Sequence, residues 1–485
     1  MLKSVKTLLT TSLVYGLGNV ASKFIGFFFL PVFTRYLSPG EFGIFDTFSI
    51  ILFLTTTISL IGTDSAMSRF YYDSEDLSDR QLTITSTIVL SFAVSLVILC
   101  LGLLFSDNIN NAIFGNQNYA SIYKITLWTL PLSVFNSLVF ALQQTKREPM
   151  RYSILTLLRF VLIYGVSVYL LIRGLGVFGV LESHCISYGI ASVVGIWWIR
   201  TDLKLKISFR IIKEMIVFGF PLSISSLAIW LLSSSDRFFL LKFSTLQELG
   251  LYSIGYRMAS IVAMSVMAFQ LAWPQFIYSI AKEDNVKYVF ARLFTYYLFV
   301  GFFLILAVTL FSPELLRVLT TSQYTGASSV ILLLSTSFLL FGAFHVFGVA
   351  LSMIKRTVSF LPVTAISAFV SVSLNFYLVP KLGKLGAGIS SVTAYMTMAT
   401  LMYYFSRRHY PIHFEWNRIL KIVCTSSAII ITYELMPTTS FFVALVLKLV
   451  LLFAFFVALR ALGFFNLNER EALKGLAKKY IRFSL

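Results

Sequence analysis

The stretch SPGEFGIF, residues 38–45, returns as TLQELGLY at residues 245–252, which lies 207 positions further along the chain. Each copy has a Ser or Thr followed three residues later by Glu, the capping box that begins a helix, and the first copy also has Pro at the first helical position. Each copy follows a long apolar run. The two stretches therefore predict a turn and a helix start that occur twice in the fold.

Two further patterns recur in the same order along the chain. A Lys-Arg pair at 146–147 returns at 355–356, an offset of 209, and an LGxxG turn at 175–179 returns at 382–386, an offset of 207. Capping boxes alone are common, but three ordered matches at nearly one offset indicate an internal duplication of about two hundred residues.

The composition is that of a polytopic membrane protein. Of 485 residues, 58% are hydrophobic and 12% are charged, and the mean hydropathy is +0.84, which excludes an ordinary soluble protein. The net charge of +18 is carried mainly by short loops and the C-terminal tail, so membrane topology explains it better than nucleic acid does. The three cysteines lie in apolar runs without C-x-x-C spacing, so no metal site or disulfide framework is indicated.

The apolar runs predict an all-α polytopic fold of about fourteen transmembrane helices. The basic residues concentrate on one set of alternate loops, which places both termini in the cytoplasm by the positive-inside rule. The predicted spans are 9–35, 42–66, 83–105, 119–144, 152–172, 178–199, 212–235, 249–280, 291–311, 326–354, 358–379, 385–405, 419–436 and 440–460.

The duplication divides these spans into lobes. Each repeat holds six spans, an even number, so the two copies have parallel orientation and enclose a central cavity. We predict an N-terminal six-helix lobe at 1–206, a C-terminal six-helix lobe at 207–410 and an appended transmembrane pair at 411–465. Residues 466–485 combine apolar and basic side chains at helical spacing, which predicts an amphipathic helix on the cytoplasmic membrane surface.

Four basic residues lie deep inside predicted spans, where a charge costs about 2.5–3.5 kcal/mol on insertion scales and needs a partner, a water-filled cavity or an escape by snorkelling. They are Lys23, Arg159, Arg257 and Lys448. Lys23 shares a helical face with small and polar residues, which are Ser12, Gly16, Asn19 and Gly26. This stripe favours a cavity lining, although small residues also permit close helix packing with Lys23 paired to a carboxylate.

The face of Arg257 also carries Ser253 and Ser260, a similar but weaker stripe, whereas the face of Arg159 is apolar. For Lys448, in the appended pair, we predict snorkelling or packing. For Asp236 and Arg237 we predict an ion pair at the membrane interface. His345 is a candidate for carrying a coupling proton, although a lone histidine is more often a packing residue. Two carboxylates nearer helix ends, Asp46 and Asp64, are the acidic coupling candidates.

A positive chamber between two parallel lobes suits an anionic substrate moved by alternating access. The chain has no G-x-x-x-x-G-K-[ST] loop, so we expect no ATPase activity and no cofactor. The energy then comes from a proton or sodium gradient or from downstream consumption of the product.

The motifs LP at 30–31, RYLSP at 35–39 and EFG at 41–43, together with the LGxxG turns, resemble the bacterial polysaccharide (O-antigen) flippase family. The resemblance covers essentially the whole chain. That family belongs to the multidrug/oligosaccharidyl-lipid/polysaccharide exporter superfamily, whose fold is two six-helix bundles in a V shape. The resemblance implies that undecaprenyl-diphosphate-linked oligosaccharide is flipped to the periplasmic leaflet of the bacterial inner membrane for O-antigen and lipopolysaccharide synthesis.

In this interpretation the pyrophosphate meets Lys23 and Arg257, and membrane lipids, a polysaccharide polymerase and a chain-length regulator are the expected partners. Phe27, Phe28 and Phe29 follow Lys23 where the related lipid II flippases are expected to carry a further arginine, which weighs against a peptidoglycan precursor. A multidrug cation antiporter would need deep acidic residues, and a polymerase or ligase would need a sizeable external loop. Neither feature is present, so we expect a transporter without catalytic residues.

Overall fold

The computed structural model describes residues 25–114, 119–204, 206–354, 356, 358–436, 440–466 and 469. These residues form helices and connecting turns, and they contain no strand. The predicted all-α fold is therefore confirmed.

Sixteen helices follow one another through the described residues. They are α1 (Ile25–Tyr36), α2 (Pro39–Leu60), α3 (Thr63–Tyr71), α4 (Leu77–Leu104), α5 (Ser106–Phe114), α6 (Ala120–Thr145), α7 (Pro149–Ile172), α8 (Gly176–Ile199), α9 (Phe209–Phe243), α10 (Leu246–Ser279), α11 (Val286–Leu310), α12 (Ser312–Leu319), α13 (Ser328–Met353), α14 (Phe360–His409), α15 (Trp416–Glu434) and α16 (Phe441–Ala461).

Both predicted helix starts are present. At α2, the Ser38 hydroxyl accepts from the Glu41 backbone N–H at 3.3 Å and the Glu41 carboxylate accepts from the Ser38 N–H at 2.8 Å, with Pro39 in the first turn. At α10, the Thr245 hydroxyl accepts from the Glu248 N–H at 3.1 Å. These bonds satisfy backbone donors that a helix start leaves unpaired, which is why the motifs begin helices.

Within the described part of the chain, eleven helices are long and apolar enough to cross a membrane. The count differs from fourteen partly because α14 is counted once, although it consists of two helical parts that meet at Gly383, where φ is 53° and ψ is −130° and the backbone is not helical. The two parts correspond to the predicted spans 358–379 and 385–405. The predicted pair 419–436 and 440–460 corresponds to α15 and α16. Of these two helices, only α16 is long and apolar enough to cross a membrane. The total of fourteen stays a prediction.

The chain forms two compact units, and α10, α12 and α14 contribute residues to both. The first unit comprises Met1–Ile254, Leu316–Ala327 and Thr364–Ala394. Its core lies around α6, which packs on α2, α4 and α8. The buried side chains at this centre are Leu52, Met67, Ile84, Leu130, Val134, Leu138, Val139, Leu142, Leu155, Ala191 and Ile199.

The second unit comprises Gly255–Leu315, Ser328–Val363 and Tyr395–Leu485. Aromatic rings dominate its core, where Phe294 lies 4.9 Å from Phe347 and 5.1 Å from Phe414, centroid to centroid. The rings of Phe299 and Phe464, at 5.5 Å, connect α11 to the segment after α16. The bounds of the two units differ from the predicted lobes at 1–206 and 207–410, which stay a prediction.

Candidate functional site

The predicted site around Lys23 lies mostly outside the described residues, as do Ser12 and Asn19. Gly26, a described member of the same stripe, faces α7, because a Cβ added there would lie 2.6 Å from the Tyr164 hydroxyl oxygen. The Tyr164 ring also stacks on Phe29 at 5.1 Å. Close packing of α1 on α7 therefore accounts for Gly26.

Arg159 on α7 is held by aromatic rings. Its guanidinium carbon lies 4.7 Å from the ring centre of Phe140, 5.4 Å from Phe160 and 5.2 Å from Tyr188. Its Nε is buried and has no hydrogen-bond partner, and no carboxylate pairs with the side chain, among the residues that the structure describes. Cation–π contacts position the charge but leave its N–H donors available to an anion.

The second unit contains Arg257 and Ser260, both half-buried. The Ser260 hydroxyl donates to the Arg257 carbonyl oxygen at 2.6 Å, so this hydroxyl is engaged within its own helix. The predicted binding role of Arg257 stays a prediction.

His345 lies on α13 beside a cavity of about 180 Å³. Its Nδ1 is 3.1 Å from Gln270 Nε2 and 3.0 Å from the Phe341 carbonyl oxygen. The rings of Phe341 and Phe344 pack edge-on against the imidazole at 4.5 and 5.0 Å. These contacts fix the orientation of the ring, and the coupling role of His345 stays a prediction.

Asp64 lies in the first turn of α3, where the helix dipole favours a carboxylate. No side-chain ion pair involves it among the described residues. The coupling role of Asp64 stays a prediction.

Asp46 belongs to a buried polar cluster in the first unit, and this cluster is composed of Asp46, Asp236, Arg237, Tyr252, Ser253 and Ser391. Asp46 Oδ2 accepts from Arg237 Nε at 2.9 Å and from Ser253 Oγ at 2.8 Å. Ser253 is 1% exposed, so it is part of this cluster and does not line an open cavity as predicted.

Asp236 completes the cluster. Its Oδ1 accepts from the Arg237 backbone N–H at 2.9 Å and lies 3.4 Å from Arg237 Nη1. The Tyr252 hydroxyl donates to Asp236 Oδ2 and lies 3.4 Å from Ser391 Oγ. The predicted Asp236-Arg237 pair is thus present but buried rather than interfacial, since α9 continues to Phe243 and Arg237 also bonds Asp46.

The helices that carry the cluster touch at two equivalent glycines, Gly43 on α2 and Gly250 on α10. A Cβ on Gly43 would lie 2.5 Å from the Leu246 carbonyl oxygen, and a Cβ on Gly250 would lie 1.7 Å from the Pro39 carbonyl oxygen. Pro39 and Leu246 are themselves 207 positions apart. Such reciprocity is what a twofold axis between two copies produces.

A second contact repeats at the same offset. A Cβ on Gly176 would lie 3.5 Å from Glu41 Oε1, and a Cβ on Gly383 would lie 2.9 Å from Glu248 Oε2. Both glycines have positive φ, at 52° and 53°, which explains why the LGxxG turns need glycine there. The capping-box glutamate therefore meets the LGxxG turn in both copies, and Lys384 Nζ adds an ion pair to Glu248 at 2.6 Å.

Lys448 pairs with a carboxylate inside the second unit. Its Nζ lies 2.7 Å from Glu314 Oε1, and the two side chains are 7% and 17% exposed. Lys448 borders a cavity of about 630 Å³ lined by residues of α11, α12, α13, α15 and α16. An ion pair therefore accounts for Lys448, where snorkelling or packing was predicted.

Comparisons with known proteins identify a family and several relatives. A family model described as "Polysaccharide biosynthesis protein" matches residues 8–276. A probable low-salt glycan biosynthesis flippase from Haloferax volcanii is 21% identical over 418 residues, which cover 85% of this chain and 86% of that protein.

Solved structures share the fold. A lipid II flippase MurJ in an inward closed conformation matches with a TM-score of 0.74 at 15% identity, covering 93% of this chain and 99% of that chain. An inward-facing multidrug resistance transporter of the MATE family, from the MOP superfamily, matches with a TM-score of 0.63 at 17% identity, covering 81% and 94%. The protein is thus a multi-pass membrane protein with a MurJ-like and MATE-like fold, and the match over more than half of its length shows that it belongs to the polysaccharide biosynthesis protein family.

Proposed function

We propose that the protein is a flippase that moves an undecaprenyl-diphosphate-linked oligosaccharide from the cytoplasmic to the periplasmic leaflet by alternating access. The oligosaccharide is an O-antigen or other surface polysaccharide repeat unit. The protein acts in the bacterial inner membrane with both termini in the cytoplasm, and it delivers its product to a polysaccharide polymerase and a chain-length regulator.

The observation that carries this proposal is the state of Arg159. Two other buried cations on membrane helices meet carboxylates: Arg237 meets Asp46, and Lys448 meets Glu314. Arg159 instead lies among three aromatic rings with its Nε unbonded among the described residues. A guanidinium binds phosphate oxygens through several N–H donors at once. The diphosphate of a lipid-linked sugar would therefore be a suitable anionic partner for Arg159.

The relatives support transport as the activity. The Haloferax volcanii relative is described as a probable flippase of glycan biosynthesis, and the solved structures with this fold are a flippase and multidrug transporters. These descriptions favour a flippase over a polymerase or ligase, and membership of the polysaccharide biosynthesis family favours a glycan substrate over a drug cation. In this proposal Lys23 and Arg257 also bind the diphosphate, each from its own helix.

Complementation of a flippase-deficient strain tests the proposal. Surface polysaccharide is measured for wild type, Lys23→Ala, Lys23→Arg and Arg159→Ala at equal expression. One charge-assisted hydrogen bond contributes about 1.5–3 kcal/mol, so we expect each alanine variant to bind substrate roughly 10-fold to 150-fold more weakly. Lys23→Arg keeps the charge and should retain most of the function.

Arg173→Ala is the matched control, because Arg173 ends the same helix and its guanidinium carbon lies 5.3 Å from the Tyr169 ring centre. It should complement like wild type. Lipid-linked oligosaccharide should accumulate in the cytoplasmic leaflet when Arg159→Ala is expressed, which separates a flipping defect from a polymerisation defect. Normal polysaccharide from both Lys23→Ala and Arg159→Ala would contradict the proposed site.

A further inference from the structure

The cavity of about 630 Å³ beside Lys448 lies at one end of the second unit, where α11 and α15 end and α13 and α16 begin. A close-packed protein interior leaves few voids larger than a water molecule. At roughly 30 Å³ per water, this cavity has room for about twenty of them. It is therefore too large to be a packing defect, and its volume lies in the range of about 300–1,000 Å³ that is typical of ligand sites.

The lining of this cavity is largely polar. Of the twelve described residues that line it, seven carry a hydroxyl group or a charge. The hydroxyl residues are Thr309, Ser312, Ser328, Ser329 and Tyr433, and the charged residues are Glu434 and Lys448. Burying polar groups without hydrogen bonds is costly, so packing of α15 and α16 on α11 alone would favour apolar side chains here.

Three of these side chains have hydrogen-bonding capacity left for a ligand. The Tyr433 hydroxyl and the Glu434 carboxylate make no hydrogen bond within the described part of the chain. Tyr433 is half-buried and Glu434 is exposed, so both can be reached from solvent. Lys448 Nζ bonds the two Glu314 carboxylate oxygens at 2.7 and 2.8 Å, which leaves one of its three N–H donors.

The charges and the polarity of the lining exclude several classes of ligand. Glu314 neutralises Lys448, so these two residues and Glu434 together carry a net charge of −1, which disfavours a phosphate. No group of three or more His, Cys, Asp or Glu side chains that could hold a metal ion occurs among the residues with described positions. A hydrocarbon chain would leave the hydroxyl groups and Glu434 without partners.

A neutral saccharide matches this lining. Each sugar hydroxyl both donates and accepts a hydrogen bond, and the cavity offers a carboxylate acceptor, an ammonium donor and hydroxyl groups that do both. Hydrogen bonds from hydroxyl groups to a carboxylate are charge-assisted and therefore strong. The helices α15 and α16 lie outside both copies of the duplicated stretch, so the cavity is an addition to the repeated core. By the predicted topology, its end of the unit faces the periplasm.

We propose that this cavity is a saccharide-binding site that holds the glycan of the transported lipid on the periplasmic side. Glu434 accepts hydrogen bonds from sugar hydroxyls, Lys448 donates one, and Tyr433 does either. The source of the glycan rests on the proposed function. The site uses none of the side chains assigned to the diphosphate, so glycan and diphosphate are bound by different residues.

Chemical modification of an introduced cysteine in the purified full chain tests the cavity itself. Ala444 lines the cavity, whereas Val446 on the same helix is 57% exposed and does not line it. We expect a small cationic thiosulfonate to modify Ala444→Cys faster than Val446→Cys, each measured against the background of the three native cysteines. An anionic thiosulfonate of similar size should be slower at Ala444→Cys. Adding Glu434→Gln should lower this cation-to-anion rate ratio roughly five-fold, the scale set by one charge several ångströms away in water.

Protection from this modification tests saccharide binding. The probe is the repeat-unit oligosaccharide released by mild hydrolysis from the surface polysaccharide of the strain that encodes the protein, and it should slow modification of Ala444→Cys. Glu434→Gln should raise the concentration needed for half-protection about ten-fold or more, because a charge-assisted hydrogen bond is lost. Glu283→Gln is the matched control, since Glu283 is exposed and precedes α11 at the opposite end of that helix. Glycerophosphoethanolamine and pyrophosphate should not protect.

Several outcomes would overturn the proposal. Slow modification of both Ala444→Cys and Leu447→Cys, a second lining position, would contradict a water-filled cavity, and the second variant also serves if the first does not fold. Lack of protection by the oligosaccharide would contradict a saccharide site. Equal protection by glycerophosphoethanolamine would indicate a lipid headgroup site, and protection by pyrophosphate would indicate an anion site. Modification is independent of export, so failed complementation leaves this site standing, and failed protection leaves the flippase proposal standing.

Discussion

Gly250→Ala should destabilise the contact between α2 and α10. The energetic cost of this disruption should exceed the gain in helix preference that alanine brings. The new Cβ would lie 1.7 Å from the carbonyl oxygen of Pro39 and 2.6 Å from its carbonyl carbon, whereas ordinary contact begins near 3.4 Å. The obstructing atoms are backbone, so no side chain can rotate away. The two helices would have to separate by about 1.7 Å, the difference between 3.4 and 1.7 Å.

The expected cost follows from packing. Inserting a methylene into a close-packed interior typically costs about 1–3 kcal/mol, occasionally more, and a clash with backbone belongs at the upper end. Helix preference opposes this by about 1 kcal/mol, because Ala is favoured over Gly inside a helix. We therefore expect Gly250→Ala to lower the free energy of unfolding by about 2 kcal/mol.

Gly165→Ala on α7 is the matched control, because a Cβ there would meet nothing within 4 Å. It gains the helix preference alone, so it should be neutral or stabilising by up to about 1 kcal/mol. The assay is thermal unfolding of both purified variants in the same detergent, followed by the loss of the monodisperse peak on size exclusion. Equal midpoints for the two variants would refute the close contact between α2 and α10.

Two further predictions concern the second unit. Glu314→Gln leaves buried Lys448 unpaired, so we expect a loss of stability near the lower end of the roughly 3–5 kcal/mol range. In thermal unfolding, the double variant Glu314→Gln/Lys448→Met should regain most of this stability. A double variant no more stable than Glu314→Gln would contradict the ion pair. Burial opposes ionisation of Glu469, yet hydrogen bonds from Tyr296 and Asn466 and the nearby Arg418 lower its pKa below the ordinary 4.5. These contacts anchor Glu469, which follows α16, to Tyr296 and Arg292 on α11 and to Arg418 on α15. The folded-state pKa is depressed, so this anchoring is complete above the ordinary value and is lost as pH falls through the lowered one. Acid-stable protease cleavage of the tail should rise at low pH in wild type but be high at all pH values in Glu469→Gln, and equal profiles would contradict the anchoring.

Much of the fold was accessible from sequence because its signals are local. Ser38 and Thr245 begin helices through hydrogen bonds that close within four residues, and the length of an apolar run relates directly to membrane thickness. The break between the predicted spans 358–379 and 385–405 is another local signal. It falls at Gly383 in the LGxxG turn, where a positive φ of 53° with a ψ of −130° divides α14 into two helical parts.

The candidate site was only partly accessible. The sequence identified Arg159 by its position deep inside a predicted span. Its three aromatic contacts come from α6, α7 and α8, and no spacing along the chain predicts that these three rings meet. The contact between Asp46 and Ser253 could have been predicted, because the two residues are 207 positions apart and this distance is the repeat offset. Residues at equivalent positions meet when they lie at the axis between two copies, and applying this rule to the repeat would have found the pair.

The sequence by itself determined that the protein is a duplicated, all-helical membrane protein, because composition, apolar run length and capping boxes act through local physics. Only the tertiary structure decided which charges are satisfied. The sequence predicted an interfacial pair of Arg237 with Asp236, and it placed Lys448 inside a span as it did Arg159. In the structure Arg237 and Lys448 each meet a carboxylate far away in the chain, Asp46 and Glu314. The free energy of a charge inside a membrane protein depends on its neighbours in space, and these are set by helix packing.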